Sequence, residues 1–225
     1  MSFSSLRTTL IASFALSVVT FAQPNVTVDS RYQIRYVANL NLGDSVINIT
    51  NTGASGAALP AGTSAATVGA ICVNVYAFSP DEQMISCCSC PVTPNGLVSL
   101  SARRDLVNNT LTPAVPTSIV VKLVASTPVG GSCSGSAASW GTLTSGMLAW
   151  GTTVHAGAAA GSAAVITETP FLPATLSALG QDGPPPLGIG EAARLQNLCT
   201  FIQANGSGFG ICSTCRLGGL GAGRL

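Results

Sequence analysis

Eight cysteines restrict this chain more than any other feature: Cys72, Cys87, Cys88, Cys90, Cys133, Cys199, Cys212 and Cys215. The N-terminus reads as an export signal. Arg7 is the one early cation, an apolar run extends from Leu10 to Val19, and Thr20-Phe-Ala22 places small residues ahead of a cleavage point before Gln23. An even set of cysteines in an exported chain reads as four disulfides, because an oxidising compartment does not preserve free thiols. Spacing alone does not select the pairing. Cys87 and Cys88 are neighbours whose side chains diverge on a strand, so they are expected to hold different partners.

Two other uses of the cysteines are weighed against this. Cys87-Cys88-x-Cys90 and Cys212-x-x-Cys215 offer thiolates to zinc or an iron–sulfur cluster. Export exposes those thiols to oxidation, and Arg216, not histidine, follows the second pair, which excludes a haem attachment site. A redox pair is expected at a helix start after a strand, whereas this one lies between Gly-Ser-Gly-Phe-Gly and a Gly-rich tail. Structural bridges are therefore expected, with no metal and no cofactor.

Charge narrows the function classes. Only 8% of the 225 residues are charged, with nine Lys and Arg against eight Asp and Glu. Loss of residues 1–22 removes Arg7 and leaves a neutral chain of 203 residues. Such a chain has no excess of cations to displace counterions from a phosphate backbone, so nucleic acid is not an expected partner. The 47% apolar content argues against global disorder. The signal's ten-residue apolar run is short for a bilayer, and later apolar stretches are broken by Gly, Pro, Ser and Thr, so no membrane span is expected after cleavage.

Period-two patterns supply about seven short strands. Tyr32, Ile34 and Tyr36 alternate with Gln33 and Arg35, and Val46–Thr50 follows. Ile71, Val73 and Val75 alternate with Cys72, Asn74 and Tyr76, which places a cysteine on the opposite face. Leu97–Leu100, the β-branched run Thr117–Ala125, the stretch around Met147–Val154 and Ala163–Thr169 complete the set. Arg103, Arg104 and Asp105 read as a solvated loop with a local ion pair. Leu195, Leu198, Cys199 and Ile202 recur at helical spacing within Glu191–Gln203, and Asn205-Gly206 stops that helix. Cys199 lies on its apolar stripe and is expected to tether it to a sheet. The fold expected is all-β: a disulfide-linked antiparallel β-sandwich over residues 23–216 with one late C-terminal helix, followed by a flexible Gly-rich tail at 217–225.

Catalytic signals are sparse. His155 is the single histidine, and no nucleophile elbow, phosphate loop or His-Glu-x-x-His motif occurs. Trp140 and Trp150, with Tyr32, Tyr36 and Tyr76, are candidate ligand-stacking aromatics. Four Asn-x-Ser/Thr sequons begin at Asn25, Asn48, Asn108 and Asn205.

The segments Tyr32–Ser45, Ile85–Leu97 and Phe201–Cys212 together resemble a group of secreted, cysteine-containing proteins of soil bacteria, Acidobacteria-like in type. The resemblance implies an exported bacterial protein and brings no activity or catalytic residues with it. Two function classes follow. The first is a secreted structural or adhesive protein at the cell surface, associating with itself or with extracellular material. The alternative is a module binding a carbohydrate or another small ligand.

Overall fold

The structure, a computed structural model, describes residues 31–57, 68–137, 140–157, 162–176, 190–212 and 215–217. The expected signal at 1–22 and residues 218–225 of the expected tail lie outside these. Among the described residues there are ten strands: β1 (Tyr32–Val37), β2 (Val46–Asn51), β3 (Ile71–Phe78), β4 (Met84–Val92), β5 (Leu97–Ser101), β6 (Ile119–Ser126), β7 (Met147–His155), β8 (Val165–Pro170), β9 (Leu172–Pro173) and β10 (Arg216–Leu217). One α-helix, α1 (Glu191–Ala204), precedes the last strand.

The strands form two sheets, ordered β4-β3-β6-β1-β9 and β10-β5-β2-β7-β8, with every pair of neighbouring strands antiparallel. This is the expected disulfide-linked antiparallel sandwich with one late helix. Val73, Val75, Val121 and Leu123 of the first sheet pack against Ile47, Ile49, Leu100 and Met147 of the second. A second apolar layer lies on the outer face of the first sheet. There Tyr32, Tyr76, Phe78 and Val124 meet Leu195, Cys199 and Ile202 of α1. Both faces of β3 are therefore covered, and all eight of its residues are buried.

Four bridges join Cys72 to Cys133, Cys87 to Cys199, Cys88 to Cys212 and Cys90 to Cys215. Cys87 and Cys88 point to opposite faces of β4 and hold different partners, as strand geometry requires. Cys87 pins α1 to the first sheet. Cys88 and Cys90, two residues apart on the inner face, tie that sheet's edge to the segment leading into β10 of the second sheet. Charge supports the helix docking: Lys122 on β6 pairs with Glu191, and the cations of Lys122 and Arg194 lie 4.8 and 5.4 Å from the centre of the Phe78 ring.

One local expectation is corrected. Arg103, Arg104 and Asp105 do not form a solvated loop. They lie in a wide helical turn, Ala102–Leu106, where Asp105 is buried and accepts the Ser101 N–H at 2.7 Å while pairing with Arg104 at 3.5 Å. A carboxylate at this turn satisfies a backbone donor that would otherwise be stranded. The cysteine cluster itself is a nine-residue strand, β4, in spite of Pro91. It lies at the sheet edge, where a missing N–H is tolerated. The second sheet also reaches Leu217, which pairs with Val98, one residue past the domain limit expected from sequence.

Candidate functional site

One lateral edge of the sandwich, between β4 and β10, is closed by two disulfides. The other edge, where β1 and β9 face β7 and β8, carries no disulfide among the described residues and is crossed by the chain itself at the buried Phe171, between β8 and β9. Its outermost strand, β8, is mostly exposed because it has a partner on one side only among the described residues. The site is built on this second edge.

Alternation along β1 sets its character. Tyr32 turns outward beneath α1, while Tyr36, also outward, is 62% exposed. The inner face of the strand therefore carries Gln33, Arg35 and Val37, two of which are polar. Gln33 donates to the Met147 carbonyl at 2.8 Å across the interface. Arg35, only 8% exposed, reaches into the second sheet. Its Nη1 donates to the Thr169 carbonyl at 2.7 Å and to the Thr169 hydroxyl, and its Nη2 donates to the Thr153 hydroxyl at 2.8 Å. Thr153 on β7 and Thr169 on β8 are inward residues of neighbouring strands, so both face the guanidinium.

Beside Arg35 is a cleft of about 530 Å³. Ile34, Leu172, Pro170 and Pro173 supply apolar walls, and Tyr36 stands at the lip. Arg35 forms no ion pair among the described residues. Its Nε is buried without a hydrogen-bond acceptor. Burial disfavours the charged guanidinium and shifts its pKa downward; the Glu168 carboxylate acts in the opposite direction. Arginine nevertheless remains protonated in proteins, so the cleft holds a cation. Glu168 belongs to the outer face of the second sheet, where Asn48 donates to it at 3.3 Å.

The residues singled out from sequence do not converge on this cleft. All eight cysteines are consumed in bridges, which agrees with the structural reading of them. The sulfurs of Cys88, Cys90 and Cys215 lie within 4.8 Å of one another because two bridges are adjacent. Trp140 packs against the layer beneath α1, whereas Trp150 lies on the opposite outer face, beside Asn48 and Pro170. The two indoles thus form no common stacking surface. Tyr32 and Tyr76 are buried, and burial raises both phenol pKa values far above the ordinary one. Of the five aromatics, Tyr36 alone lines the cleft. His155, exposed at the end of β7, has a Thr167 hydroxyl 2.9 Å from Nε2.

Arg35, Thr153 and Thr169 were missed by sequence reasoning. The one legible signal was a basic residue on the alternate face of a strand, which ordinarily marks the solvent side. No family model matches the chain, and no curated protein or solved structure matches it. No helix among the described residues is long and apolar enough to cross a membrane.

Proposed function

We propose that the protein is an exported, disulfide-pinned adhesive module that takes a small ligand into the Arg35 cleft. The signal-like N-terminus and the full use of its cysteines in bridges support export. The observation that carries binding is a buried guanidinium, without a carboxylate partner among the described residues, beside a cleft of about 530 Å³. Pockets of roughly 300–1,000 Å³ with apolar walls and a few convergent polar groups are the usual form of small-ligand sites. A buried charge without a counter-ion is costly, and a ligand that neutralises it recovers part of that cost on binding.

Amide chemical shifts of the labelled mature chain, recorded against a diverse fragment library, test this reading. Binding in the cleft perturbs Ile34, Tyr36, Thr153 and Thr169 together. A library that leaves these four amides unmoved refutes the assignment.

The openness of β8 favours a second, structural reading. An edge strand with an unpaired side is a template for pairing with another chain, so self-association through β8 is its form.

A further inference from the structure

Resting on the cleft as the binding site, we infer that its ligand carries one carboxylate on a largely apolar body. Among the described residues, Arg35 is the only cationic one lining the cleft. Its contacts to Thr169 and Thr153 engage three of the five guanidinium N–H groups at most; Nε is covered against Gly151, which leaves one Nη2 N–H without an acceptor among the described residues. The hydroxyls it touches are neutral acceptors, so its charge stays uncancelled in the sandwich interior. A singly charged anion matches that charge. A phosphate dianion would leave an excess negative charge close to Glu168, whose field already reaches Arg35. A guanidinium also suits the planar carboxylate better than an ammonium does. Ile34, Leu172 and the two prolines provide no hydrogen-bonding side chains for a heavily hydroxylated body, and Tyr36 at the lip presents an exposed ring.

A free organic acid and the uronate end of an acidic saccharide share the carboxylate, and calorimetry separates them. The mature protein is titrated with 3-phenylpropanoate, its amide 3-phenylpropanamide, and galacturonate. The acid is expected to bind roughly tenfold or more tightly than the amide, the span of a charged hydrogen bond. Galacturonate is expected to be weaker than the apolar acid. Arg35→Met should bring the acid down to the level of the amide while the thermal transition persists. Ala174→Trp, which fills the cleft and leaves Arg35 in place, should abolish binding of both. If Arg35→Met does not fold, the comparison of acid with amide on the wild-type protein still decides the matter. Equal affinity for acid and amide overturns the inference and leaves the cleft as a site for neutral ligands. Tighter binding of galacturonate overturns the apolar body. No heat with any carboxylate at about 10 mM, near the weak limit of specific binding, overturns the inference outright. Cleft amides that respond to no compound at all overturn the binding reading as well.

Discussion

Arg35 and Gly151 meet across the two sheets: a Cβ at position 151 would stand 2.5 Å from Arg35 Nε and 2.8 Å from its Cδ. The missing side chain on β7 is the space through which the arginine passes to reach Thr153 and Thr169. Gly151→Ala therefore forces Arg35 out of its hydrogen bonds or pushes the sheets apart. A loss of about 1–3 kcal/mol is expected, the range for overpacking a filled interior. Urea unfolding measures it. An unchanged midpoint would mean that the guanidinium is free to move and that the clamp contributes little.

The Cys87–Cys199 bridge closes a span of 112 residues and is the covalent link between α1 and the first sheet. Replacing both cysteines with alanine is expected to cost about 2–5 kcal/mol, largely by restoring freedom to the unfolded chain. Hydrogen exchange should reveal the loss first in α1, because Leu195 and Ile202 then hold the helix without a crosslink. Uniform loss across both sheets would assign the bridge a global role instead. Intact mass before and after reduction supplies the control, since four bridges take up eight hydrogens.

Much of this architecture is legible in the residues. The β-branched run in β6 and the alternation in β3 determine those strands, and Leu195, Cys199 and Ile202 determine the docked face of α1. What alternation does not encode is which face lies inside. On β1 the aromatic face looks like the core face, yet the helix layer claims Tyr32 and leaves Gln33 and Arg35 for the sandwich interior. Arg35 meets Thr153 and Thr169 from more than a hundred residues away, through a register that no local pattern announces. Trp140 and Trp150 show the converse. They are close in sequence, but the chain crosses from one outer face to the other between them.

Alkaline stability follows from Tyr32 and Tyr76. Burial raises both phenol pKa values in the folded chain; at Tyr32 Glu191 adds to this and Arg194 opposes it, and at Tyr76 the Trp140 indole opposes it. The folded state thus keeps protons that the unfolded chain releases near pH 10. Their contribution is complete below that pH and declines above it, by up to about 1.4 kcal/mol per pH unit for each tyrosine. Denaturation midpoints measured from about pH 8 to 12 should fall through this window. Tyr32→Phe should flatten the slope. An identical slope in the variant would remove Tyr32 from the account.

Backbone direction along β8 decides how the self-association reading is tested. Phe171 N–H donates to the Ala149 carbonyl at 2.9 Å, so amides at odd positions along β8 turn toward β7. The amides of Ile166 and Glu168 then turn to the open side, and Pro170 already lacks one there. If a second copy pairs with this edge, Ile166→Pro removes a donor that the partner strand needs while sparing the ladder to β7. The chain from Gln23 onward should elute as a concentration-dependent dimer on size-exclusion chromatography with light scattering, and the variant as a monomer with its thermal transition retained. A wild-type monomer at all concentrations eliminates β8 as an assembly edge. A dimer that survives the proline places the contact elsewhere, with the exposed Leu172 beside the cleft as the next residue to alter.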